Sequence, residues 1–129
     1  MNFYIIIPAH NEQDSIEQTV KDFIKYRDVE SVIVVDNKST DDTALLAEKC
    51  GAKVIRQEKN RGFAHSYAIG LKEALKTDAN IIATAEADGT NNAYDLDKMI
   101  PYLSNCDMVV GNRQVQIFTQ KGNQNSIMH

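Results

Sequence analysis

Short apolar runs alternate with amphipathic stretches along almost the whole chain. Phe3 to Ile7 is apolar at every position and rich in β-branched and aromatic residues, the composition of a strand covered on both faces of a sheet. Runs of the same kind follow at Ser31 to Val35, Ala52 to Ile55, Asn80 to Ala85 and Met108 to Val110. Between them the period becomes helical. Ile16, Val20, Phe23 and Ile24 fall at i, i+4, i+7 and i+8, with Asp14 or Ser15 placed to cap the helix. A second helix is predicted over Asp41 to Cys50, preceded by Ser39 or Thr40 as cap and stopped by Gly51. A third runs from Phe63 to Lys76, with Phe63, Tyr67, Leu71 and Leu75 on one stripe read as core. Tyr94 to Leu103 is the fourth, with Pro101 near its C-terminal end.

Strand and helix thus alternate, which predicts an α/β fold: a mainly parallel sheet with helices on both faces. Right-handed crossovers bring every strand-to-helix loop to the carboxyl edge of that sheet, and a ligand belongs there, where the strand order reverses. The 129 residues suit one core, expected over 1–113. Residues 114–129 read as a polar tail, either a flexible end or an unfinished element.

Composition narrows the classes. With 43% hydrophobic and 25% charged residues, disorder, collagen and coiled coil are excluded. A net charge of −4 argues against broad binding to nucleic acid or to an anionic membrane surface. Cys50 and Cys106 form no C-x-x-C motif. The apolar runs fall far short of the roughly 20 residues of a membrane span, and the start lacks the basic region of a signal peptide. The expected location is cytoplasmic.

The chemistry is expected just after the strands. Pro8-Ala9-His10-Asn11-Glu12 follows the first, Asp36-Asn37-Lys38-Ser39-Thr40-Asp41 the second, Glu86-Ala87-Asp88-Gly89 the fourth and Gly111-Asn112-Arg113 the fifth. Any one such loop is equally well a cap or a turn; four on one rim are a candidate site. Two carboxylates one residue apart, Glu86 and Asp88, suit a shared hard cation, Mg²⁺ or Mn²⁺ rather than zinc. The glycines form neither G-x-G-x-x-G nor G-x-x-x-x-G-K-[ST], which excludes the dinucleotide-binding and P-loop phosphate cradles. Bound phosphate must then be met by metal and by arginine, with Arg61 and Arg113 the candidates. His10 and His65 fit no metal-ligand spacing. A receiver-type signalling module would need paired acids after the first strand and a lysine after the fifth, and neither is present.

The stretches Ile-Ile-Ile-Pro-Ala-His-Asn-Glu, Val-Ile-Val-Val-Asp-Asn-Lys-Ser-Thr-Asp-Asp-Thr, Asn60-Arg61-Gly62-Phe63-Ala64, Glu86-Ala87-Asp88-Gly89 and Val-Val-Gly-Asn-Arg, in this order, resemble the family 2 glycosyltransferases. They are most similar to the polyprenyl-phosphate (dolichyl-phosphate) mannosyl- and glucosyltransferase branch. The resemblance implies a GT-A fold, a UDP- or GDP-sugar donor, a Mg²⁺ or Mn²⁺ cofactor, inversion at the anomeric carbon and a lipid phosphate as one possible acceptor. By position, Pro8, His10, Asn11 and Glu12 would border the nucleoside, Asp36 and Asn37 would contact base or ribose, and Arg61 would reach the base. Asp88 would bind the metal, with Glu86 nearer the ribose or a metal-bound water and Ala87 between them. Arg113 would lie near the phosphates and acceptor. Glu86 and Asn37 each stand where many members carry aspartate. Family members usually continue through acceptor-binding and often membrane-associated segments, which implies peripheral membrane association through such segments. A noncatalytic nucleotide-sugar binder lacking the acceptor half is the alternative reading.

Overall fold

The computed structural model describes residues 2–89, 93–99, 108–110 and 116–119. The elements follow the order β1 (Phe3–Ala9), α1 (Ile16–Ile24), β2 (Val29–Asp36), α2 (Thr43–Lys49), β3 (Lys53–Arg56), α3 (Phe63–Leu75), β4 (Ile81–Thr84), α4 (Tyr94–Met99), β5 (Met108–Val110) and β6 (Gln116–Thr119). Six strands form one sheet in the order β3-β2-β1-β4-β6-β5. β1 pairs in parallel with β2 and β4, and β2 with β3. β6 is antiparallel to both β4 and β5, so β5 runs in the same direction as β4.

β6 lies within the segment expected as a polar tail. It inserts between β4 and β5, with Gln116 opposite both Thr84 and Val110. Its sequence, Gln-Ile-Phe-Thr, has strand-forming side chains, but only four of them inside a polar stretch. What makes it a strand is the partner on each side.

The alternation of β1 divides the core. Phe3, Ile5 and Ile7 meet Ile16, Val20 and Phe23 of α1, Ala47 of α2 and Leu96 of α4 on one face. Ile6 meets α3 on the other, together with Ile33, Val35 and Ile82. The stripe expected to bury α3 is not the one it buries. Ser66, Gly70 and Ala74 form its inner line, while Phe63 and Leu75 are 51% and 44% exposed. Tyr67 and Leu71 are half-buried beside that line. The reason is distance: a Cβ on Gly70 would collide with Cγ2 of Ile6 and approach Cγ2 of Val35 at 3.2 Å. A helix this close to the sheet has room only for small residues beneath it. The predicted extension of α4 to Leu103, with Pro101, lies outside the described residues.

Candidate functional site

β1 is the strand from which the sheet grows both ways, through β2 to one edge and through β4 to the other. A crevice is expected at such a reversal, beyond the carboxyl ends of the strands. The loops after β1, β2 and β4 meet there, as the parallel register requires: Ala9 is level with Asp36, and Ile6 with Thr84.

The first two loops are knitted together. The Asn11 N–H donates to Ser39 Oγ at 2.9 Å, Thr40 N–H returns a bond to Asn11 Oδ1 at 2.8 Å, and Glu12 N–H donates to Thr43 Oγ1 at 2.9 Å. Asn11 and Lys38 hold positive φ, 53° and 62°, a costly conformation outside glycine. Asn tolerates it best, because its short amide bonds locally, as here to Thr40. His10 Nδ1 lies 2.8 Å from the Asn37 carbonyl oxygen. That oxygen only accepts, so Nδ1 carries the proton and Nε2 faces the Asn11 amide, 3.4 Å away. Asp41 closes the knit. Burial pushes its carboxyl up, but hydrogen bonds from the Thr43 hydroxyl and N–H and from Gln13 N–H outweigh this and hold it below the usual value.

Asp36 and Asn37, side by side at the end of β2, are used differently. Asn37 is 2% exposed and its amide is turned inward: Nδ2 donates to Asn60 Oδ1 at 2.9 Å and Oδ1 accepts Arg61 N–H at 3.1 Å. Expected to contact base or ribose, it instead shapes the Asn60-Arg61-Gly62 loop. Gly62, at φ 87°, supplies the turn no side chain favours, and its N–H is held by Asn60 Oδ1 at 3.0 Å. Asp36 is 5% exposed. Its Oδ2 accepts Ser39 N–H at 3.3 Å, and its Oδ1 is buried with no hydrogen-bond partner among the described residues. It borders a cleft of about 340 Å³ with Lys38, Arg56 and Gln57. The Arg61 side chain is not brought to that cleft; it lines a second one of about 400 Å³ with Lys59, His65 and Ile69.

At the end of β4, Glu86 is half-buried and Asp88 exposed, while the Ala87 methyl between them is buried in the core. That methyl therefore offers nothing to a ligand. Tyr67 comes over from α3: burial raises its phenol, and the charges of Glu86 and Asp88 raise it further, which places it within their field. Among the described residues no group of three or more His, Cys, Asp or Glu side chains converges on one point. Two carboxylates alone fit a hard cation that brings phosphate oxygens and water as its remaining ligands. Arg113, with Gly111 and Asn112, lies outside the described residues.

The family model described as glycosyl transferase family 2 matches residues 4–127. This chain belongs to that family. Among family relatives, protein RfbJ of Shigella flexneri is 35% identical over 133 residues, covering 97% of this chain and 92% of RfbJ. The UDP-N-acetylglucosamine–dolichyl-phosphate N-acetylglucosaminyltransferase of Methanococcus voltae is 30% identical over 129 residues, covering 85% of this chain and 51% of its own length. The mannosyltransferase PcManGT of Pyrobaculum calidifontis, solved with GDP-Man and Mn²⁺, superposes with a TM-score of 0.75 at 17% identity, over 92% of this chain and 44% of that one. That likeness shows the fold, GT-A. The chain spans about half the length of most curated relatives it matches, RfbJ being an exception.

Several working residues of this family 2 chain escaped the sequence. Ser39 and Thr40 read as helix caps and Thr43 as part of the second helix, yet all three tie two loops together. Asn60 read as the start of a motif and is the partner that engages Asn37. Ser15 read as a cap and bonds a different loop altogether. Local sequence marks such residues as loop formers, and their partners lie 23 to 72 positions away.

Proposed function

We propose that the chain binds a nucleotide-diphosphate sugar for transfer, with inversion, to an acceptor such as a polyprenyl phosphate. The observation that carries the reading is the orphaned Oδ1 of Asp36 on the same sheet edge as Glu86 and Asp88. A buried carboxylate oxygen without a donor costs about 1–3 kcal/mol, and an N–H or O–H of a bound nucleoside would satisfy it. From there a diphosphate reaches toward the end of β4, where Glu86 and Asp88 would repel it by about 4 kcal/mol per close charge pair at an effective dielectric near 20. Mg²⁺ or Mn²⁺ held by those carboxylates reverses that sign and offsets the charge that develops on the leaving diphosphate. Arg113 is the candidate guanidinium for the same oxygens. The relatives support the donor and acceptor classes, one through dolichyl phosphate and UDP-N-acetylglucosamine in its name, another through bound GDP-Man and Mn²⁺. A phosphate acceptor is ionised already and needs no general base.

Calorimetric binding of UDP- and GDP-sugars, with and without Mn²⁺, followed by transfer to a polyprenyl phosphate, tests this. Binding of one donor is expected to need Mn²⁺, and Asp88→Asn to weaken it at least about tenfold. Metal-dependent binding without transfer supports the noncatalytic reading. Asp88→Asn with unchanged metal dependence refutes the assigned ligand.

A further inference from the structure

Ser15 occupies the N-cap of α1, where a serine oxygen ordinarily accepts an N–H of the first helical turn, yet its side chain makes no cap hydrogen bond. Its hydroxyl leaves the helix instead and donates to the carbonyl oxygen of Ala87 at 2.7 Å. A second acceptor, Glu12 Oε2, stands 3.3 Å away. A hydroxyl has one proton, and the shorter contact takes it.

Ala87 is the residue between the two candidate cation-binding carboxylates. Its methyl is 3% exposed and anchored in the core, and its carbonyl is held by Ser15, so the middle of the triplet is gripped at two points. α1 also takes hold beyond the loop, where the Asp22 carboxylate accepts the Ala93 N–H at 3.1 Å. The carbonyl matters because the peptide unit is planar: fixing the oxygen of Ala87 fixes the plane that carries the nitrogen of Asp88. The direction in which Asp88 leaves the turn after β4, and its separation from Glu86, depend on that plane.

We propose that Ser15 is a positioning residue for the cation site of Glu86 and Asp88, holding their carboxylates at the separation one Mg²⁺ or Mn²⁺ requires. The inference rests on the cation role assigned to the triplet above. Cation ligands lose affinity when the groups that orient them are removed, and α1 is the rigid element that supplies this support.

The test uses the full chain, titrated with Mn²⁺ in the presence of UDP or GDP, with nucleotide affinity in EDTA and thermal unfolding measured alongside. Ser15→Ala and Ser15→Gly both remove the hydroxyl, and glycine is well tolerated at an N-cap. Each is expected to weaken Mn²⁺ binding about tenfold or more while leaving nucleotide affinity in EDTA unchanged. Ser15→Thr, which restores the hydroxyl, is expected to bind Mn²⁺ within a small factor of the wild type. Wild-type Mn²⁺ affinity in the Ala and Gly variants overturns the proposal. So does a loss in Ser15→Thr equal to theirs, or failure of both hydroxyl-free variants to fold, which would make the bond a folding contact. Wild-type protein without Mn²⁺-dependent nucleotide binding removes the cation reading itself, an outcome distinct from the others because it appears before any substitution.

Discussion

Two neighbouring side chains at the end of β2 are buried almost equally, and their hydrogen bonds separate their roles. Asp36 has an oxygen to spare and Asn37 does not. Aspartate at the second position could accept Arg61 N–H but could not donate to Asn60, and would set a buried charge against the Asn60 oxygen. Asn37→Asp is therefore expected to destabilise the fold by about 1–3 kcal/mol, read as a lower denaturant midpoint at unchanged slope. Asn37→Ser, too short to reach Asn60, should lose less because it buries no charge. The identities of these two residues were legible in the sequence. Their division of labour was not, because it depends on Asn60, 23 positions away.

At the scale of elements, every strand of the parallel core and the helices between them could be read from period and composition, and the error fell on which face of α3 is buried. Large apolar residues at intervals of four mark a stripe, but the sheet selects the stripe that fits. The line of Ser66, Gly70 and Ala74 lets the helix approach β1 closely. Gly70→Ala improves helix propensity by about 1 kcal/mol, yet forces a methyl into Ile6. Because the cost of overpacking is typically about 1–3 kcal/mol, a net loss is expected, and thermal unfolding checks it. Ile6→Leu combined with Gly70→Ala should recover part of the loss, since leucine does not branch at Cβ and so lacks the Cγ2 methyl that collides. β6 has the same lesson in reverse. Four residues in a polar stretch become a strand because β4 and β5 leave a place between them.

For the whole molecule, hydrogen-bonded carboxyls and a half-buried phenol make stability depend on pH at both ends. Asp41 is held low by its hydrogen bonds against the opposing effect of burial, and Glu73 by bonds from Lys53 and Lys76. A depressed carboxyl stabilises the folded state above its unfolded pKa and loses that contribution as pH falls through the folded one, here below about 4. Tyr67 has the opposite sign. Raised by burial and then by Glu86 and Asp88, its neutral form stabilises the fold below about pH 10, and the contribution is lost as pH rises through the folded value above that. Melting temperature against pH should thus fall on both limbs, with Asp41→Asn flattening the acid limb and Tyr67→Phe the alkaline one. If Asp41→Asn left the acid limb as steep as before, the hydrogen bonds from Thr43 and Gln13 would not be what holds the carboxyl low. The sequence by itself determined the α/β alternation, the family and the rim that carries the polar loops, because period, strand composition and motif order are local properties of a chain. Only the tertiary structure decided that Asn37 faces inward, that α3 buries its small residues and that Ser15 reaches Ala87. Each of these is a contact between segments far apart in sequence, and it exists only once the sheet has set their distance.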